Sequence, residues 1–178
     1  MRPFLLAAAL LASVPAPALA QNQPAGQAAT AGSVDGFARS AAQNSLAEVL
    51  MSSMAIQKTS DERVQDFAWT MLDHHSRAMG DLAEALSASA AALPTEPSAE
   101  QQATMRRMRG LSGAQFDQAY FQHQQQAHAR AVALYQQGSQ LPEPKVADYA
   151  RSTLPLLQAH QQIAQAKQAQ PPQPLPNQ

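Results

Sequence analysis

The clearest pattern along the chain runs from Val64 to Leu86, VQDFAWTMLDHHSRAMGDLAEAL. Its apolar residues Val64, Phe67, Ala68, Met71, Ala78, Met79, Leu82 and Leu86 recur three and four apart, the period of an amphipathic helix. Asp66, Asp73, Arg77, Asp81 and Glu84 gather on the opposite face. At about 100° per residue, His75 falls in the middle of the apolar face and His74 at its edge. An imidazole in a dry stripe needs a partner, whether protein, water or metal.

The same reading extends in both directions. Asp35 is placed to cap a first helix over 36–57, where Phe37, Ala41, Glu48 and Ala55 form one stripe with Met51 near its edge. Leu46, Val49 and Leu50 point elsewhere, so this helix is either deeply buried or offers a surface to a partner. Lys58-Thr59-Ser60 is a short link to the second helix, 61–90, which makes the two an antiparallel hairpin. Pro94 and Pro97 stop the second helix. Ser98 and Gln101 have the spacing of a capping box and open a short helix over 98–110. Ser112 or Gly113 opens the next, 114–137, with Phe116, Ala119, Tyr120, Ala127, Ala131 and Leu134 as its core stripe and Gly138 as its C-cap. Pro142 at the first helical position starts the last, 142–167. Val146, Tyr149, Ala150, Thr153, Leu157, His160 and Ala164 line its inner face, and Pro155 within it predicts a kink or a break. Residues 21–34 read as a flexible lead-in and 169–178 as a disordered Pro- and Gln-rich tail. The expected fold is therefore all-α: a ferritin-like up-down four-helix bundle over 35–168, with a short extra helix in the middle crossover.

Composition supports this and adds an address. Ala, Gln, Leu and Met are abundant and β-branched residues scarce, as helices prefer. Arg2, the apolar run Phe4 to Ala12 and Ala18-Leu19-Ala20 have the order of a secretory signal over 1–20, cleaved near Ala20. The expected location is the periplasm or the outer membrane. A net charge of −1 and 14% charged residues argue against a nucleic-acid partner. The partners that remain are an envelope protein or the outer membrane itself, with the oligomeric state open. With no cysteine there is neither a disulfide nor a haem c attachment motif. Glycine-rich phosphate loops, G-x-S-x-G and H-E-x-x-H are also missing, so no catalytic residue is assigned and the sequence leans away from an enzyme.

Four segments, FAWTMLDHH (67–75), LSGAQFDQAY (111–120), QQQAHARAVALY (124–135) and STLPLLQAHQQIAQA (152–166), resemble a bacterial family called domain of unknown function 4142. The resemblance covers about Asp35 to Lys167. It implies an exported ferritin-like bundle, often labelled a predicted outer-membrane protein, with no established activity. Its recurrent polar residues fall on Glu48, His75, Asp117, Tyr120, His128 and His160. Where the family tends to carry an Asp before the first of its histidines, this chain has His74.

An axial count tests whether these residues can meet. At ~1.5 Å per residue, Glu48 lies roughly 17 Å and His75 roughly 23 Å below the first turn, with His128 roughly 22 Å down its helix. That predicts a Glu48/His75/His128 layer with ligands suited to zinc, copper or iron. A second polar layer of Asp117, Tyr120 and His160 is expected higher up. On the helical wheel His128 lies about 90° from the centre of its apolar face, and His123 is nearer that centre. A di-iron centre is not expected, because no E-x-x-H occurs. The six methionines between Met51 and Met108 could supply soft copper ligands, but at helical spacing they read as core filler. The alternative is a non-catalytic structural or interaction module in which the buried histidines only fix helix register.

Overall fold

The first three helix starts are set by short polar side chains that take up otherwise orphaned N–H groups. The computed structural model describes residues 32–87 and 93–176. Ser33 caps α1 (Val34–Lys58) by accepting from the Gly36 N–H at 3.1 Å. Asp35, expected in that role, sits inside the first turn. Asp61 caps α2 (Glu62–Leu86), accepting from the Arg63 N–H at 3.0 Å. Ser98 and Gln101 form a full capping box at the head of α3 (Ala99–Arg109). α4 (Gly113–Gly138) begins at a glycine with φ +51°, a backbone state that glycine adopts without strain.

α5 (Pro144–Ala169) starts two residues later than the pattern predicts. Glu143 precedes Pro144, and a residue before proline is pushed to extended backbone, here φ −78° and ψ 111°. Pro155 neither ends nor splits α5, because it lies on the exposed face where solvent can take the carbonyl it leaves free. Gly138 is not a left-handed cap. Its role is space, since a Cβ there would overlap the Phe37 ring. The expected signal segment, the first part of the lead-in and the last turn expected of α2 lie outside the described residues.

Side-chain pairs give the arrangement. α1 runs antiparallel to α2 across the Thr59–Asp61 turn. It also runs antiparallel to α4, with Glu48 opposite Gln124 and Ser52 opposite Tyr120. α2 is antiparallel to α5, as Arg63 reaches the Lys167 carbonyl and Tyr149 the Ala78 carbonyl. The directions are thus up, down, down, up, and the crossover must carry the chain back along the bundle. α3 does so beside α1: Gln101 Nε2 donates to Asn44 Oδ1 at 2.8 Å, and Lys58 Nζ to the Arg109 carbonyl at 3.0 Å. The fold is an all-α four-helix bundle with one extra crossover helix. Among the described residues no helix is long and apolar enough to cross a membrane.

The tail past α5, expected to be disordered, lies against the start of α2. The Glu62 N–H donates to the Gln173 carbonyl at 2.7 Å and the Leu175 N–H to the Ser60 carbonyl at 3.0 Å. Arg63 also donates to the Gln170 carbonyl. These bonds satisfy the exposed N–H of α2's first turn and the free carbonyls at the end of α5.

The core divides into two apolar clusters. One, toward the start of α1, contains Phe37, Leu82, Leu86, Tyr135, Val146, Tyr149 and Leu157. The other, near the α1–α2 turn, contains Met51, Val64, Phe67, Met71, Phe116, Tyr120 and Phe121. Between them, on all four long helices at one level, lie Ser45, Glu48, His75, Gln124, His128 and His160, all buried.

Candidate metal centre

Each helix delivers one or two side chains to this mid-bundle layer at the position where its apolar stripe is interrupted. One nitrogen from each of His75, His128 and His160 lies within 4.8 Å of the corresponding nitrogen of the other two. The ring centroids are 5.6 Å apart for His75 and His128, 5.7 Å for His75 and His160, and 5.2 Å for His128 and His160.

The second nitrogen of each ring is held from outside the trio. His128 Nδ1 is 2.9 Å from the Gln124 carbonyl, which can only accept, so Nδ1 is the donor and Nε2 is left free of that bond. His75 Nδ1 is 3.5 Å from Ser45 Oγ, and His160 Nε2 is 2.8 Å from His74 Nδ1. The other nitrogens, His75 Nε2, His128 Nε2 and His160 Nδ1, are buried with no hydrogen-bond partner among the described residues.

Protonation does not explain the arrangement. Burial pulls His75 down to about 4, against the opposing field of Glu48. Burial, reinforced by His128, His75 and His74, pulls His160 down to about 2. Both rings are neutral at physiological pH and offer lone pairs rather than protons.

Glu48 stands beside the trio and is itself buried, accepting from Gln124 Nε2 at 2.6 Å. Burial alone would raise its pKa. The neighbouring imidazoles of His128, His75 and His123 and the Gln124 amide outweigh that and hold it below the ordinary value. No lysine or arginine among the described residues pairs with it. An unpaired buried carboxylate next to three inward lone pairs is an environment that favours a cation.

The donor set fits a transition-metal ion. Three imidazoles, each engaged through its other nitrogen outside the trio, are a set that zinc, copper and ferrous iron accept. Tetrahedral zinc with bonds near 2.0–2.1 Å places its ligand nitrogens about 3.4 Å apart, within the spacing these rings allow.

The expected Glu48/His75/His128 layer is brought together, with Glu48 in contact with Gln124 rather than within the group of converging nitrogens. The second expected layer is not assembled as counted. Asp117 accepts from Thr59 Oγ1 at 2.7 Å, and Tyr120 pairs with Ser52 at 3.3 Å. His160 joins His75 and His128 instead. Counting His160 up from the α4–α5 turn puts the end of α4 level with the start of α5, whereas the Arg151 guanidinium of α5 donates to the Ser139 carbonyl just past the end of α4. The first two turns of α5 therefore overhang α4, and His160 comes level with His128.

His123 is half-buried and outside the trio. The wheel misplaced the inner face of α4 because that face carries Asp117, Gln124 and His128 among Tyr120, Ala131 and Tyr135, and an apolar count ignores polar members. Gln124, Ser45 and the His74 contact were not foreseen. The spacing of Gln124 to His128, one helical turn, was the available signal for the first.

No curated protein matches the chain. Among solved structures it resembles a presumed secreted protein, DUF305, from Streptomyces coelicolor. The identity is 21% over 75% of this chain and 91% of that chain, with a TM-score of 0.61. At that identity the likeness concerns the fold. The model of a domain of unknown function, DUF4142, matches residues 19–166, and this chain belongs to that family.

Proposed function

We propose that this protein is exported to the cell envelope and binds one transition-metal ion, zinc, copper or ferrous iron, through His75, His128 and His160. Glu48 balances the charge of the bound ion from beside the ligands. The role is metal holding or accessory handling in the envelope rather than catalysis.

The observation that carries this reading is the set of three buried ring nitrogens without partners, on three different helices, facing one another. Ordinary polar satisfaction leaves buried acceptors paired, and here only the outward nitrogens are. Export is supported by the signal-like order of residues 1–20. The neighbour described as a presumed secreted protein is consistent with it. Periplasmic and outer-membrane locations are separable by fractionation of the native chain.

The test is titration of untagged protein with Zn(II), Cu(I) and Fe(II). One equivalent should bind, and His128→Ala should abolish uptake while the chain remains helical by circular dichroism. If wild-type protein takes up none of the three ions and the His128→Ala chain is equally folded, the histidines serve only helix register.

A further inference from the structure

His74 is the one imidazole of the cluster that is not aimed inward. It is half-buried at the rim of a small cavity between α2 and α5, lined also by His75, Leu156, Leu157 and His160, with buried Tyr135 of α4 as its floor. Its Nδ1 lies 2.8 Å from His160 Nε2, and the two rings are nearly parallel, at 16°.

That contact has a consequence for the trio. A neutral imidazole carries one N–H and one lone pair. For His160 to turn a lone pair inward from Nδ1, its proton must sit on Nε2, and a proton on Nε2 needs an acceptor. His74 Nδ1 is the acceptor within reach. His128 obtains the same orientation from the Gln124 carbonyl and His75 from Ser45 Oγ. His160 differs in that its anchor is a side chain at the surface.

We infer that His74 is the positioning residue of the metal site: it holds His160 in the Nε2–H tautomer. This rests on the functional reading above. Outer anchors of metal-bound histidines typically contribute ten- to a hundredfold in affinity.

The experiment compares wild type with His74→Ala and His74→Asn, because the asparagine Oδ1 stands close to the place of the histidine Nδ1 and accepts the same bond. Affinity for Zn(II) and Cu(I) should fall about ten- to a hundredfold in His74→Ala and return to within a few-fold of wild type in His74→Asn. In metal-free protein, nitrogen-15 spectra should show His160 as the Nε2–H tautomer in wild type and His74→Asn, and as a mixture in His74→Ala. Unchanged affinity and an unchanged His160 tautomer in His74→Ala would overturn the inference while leaving the metal site standing. Equal weakening by alanine and asparagine would reduce His74 to a packing residue. If wild type binds neither ion, the functional reading itself falls and the inference with it, a pattern distinct from the other two.

Discussion

Near the α1–α2 turn, Thr59, Asp61, Arg63 and Asp117 are buried and tied to one another: Thr59 donates to Asp117 at 2.7 Å, and Arg63 to Asp61 at 2.5 Å. A few turns away, His75, His128, His160 and Gln124 are buried to the same degree, and each leaves a polar atom without a partner. Burial alone therefore does not separate a structural polar layer from a binding one. Completion does: the first layer closes on itself and the second is closed only on its outer side. Asp117 shows the same contrast. Burial pushes its pKa up, and the bond it accepts from Thr59 opposes that rise.

The largest expected break between the layers comes from acid. In the folded chain His75 stays neutral down to about 4 and His160 down to about 2, against 6.5 ordinarily. Between those values the unfolded chain binds more protons than the folded one, so stability rises with pH. The contribution is fully present above about pH 6.5 and is lost as pH falls toward 4. Two groups at ~1.4 kcal/mol per pH unit make a loss of roughly 4 kcal/mol from pH 7 to pH 5. Urea midpoints at the two pH values measure it, and a His75→Leu/His160→Leu chain should lose most of the slope. An equal slope in that variant would place the acid sensitivity elsewhere.

Arg63→Ala comes next. It leaves the Asp61 carboxylate buried without its cation and frees the tail, at about 3 kcal/mol of stability with no change in metal stoichiometry. A loss of metal uptake in a still-folded Arg63→Ala protein would show that the two layers are not independent. The smallest effect is Tyr120→Phe, which removes the bond to Ser52. About 1 kcal/mol is expected in chemical denaturation, with metal affinity untouched. Tyr120 belongs with the closed layer, although the chain pattern groups it with His160.

Much of the bundle is legible along the chain because it depends on local rules. Pro94 and Pro97 end a helix, Ser98 and Gln101 start one, and the stripe from Val64 to Leu86 has one period from end to end. The tail was not legible, since nothing in a Pro- and Gln-rich run announces that Arg63, over a hundred residues earlier, will hold its carbonyls. Leu50 remains 47% exposed, so the breadth of apolar surface on α1 reflects three neighbouring helices, α2, α3 and α4, on one side and open solvent on the other.

The amino-acid order by itself determined that His75 faces the core, because a helical period assigns faces without reference to any other segment. It determined equally that Glu48 and His128 could reach the same level, since rise per residue is a local constant. Only the tertiary structure decided that His160 completes the trio and that His74 anchors it. Both depend on the offset between α4 and α5, which the Arg151 bond to the Ser139 carbonyl marks. A displacement of two turns between neighbouring helices leaves no trace in the periodicity of either one.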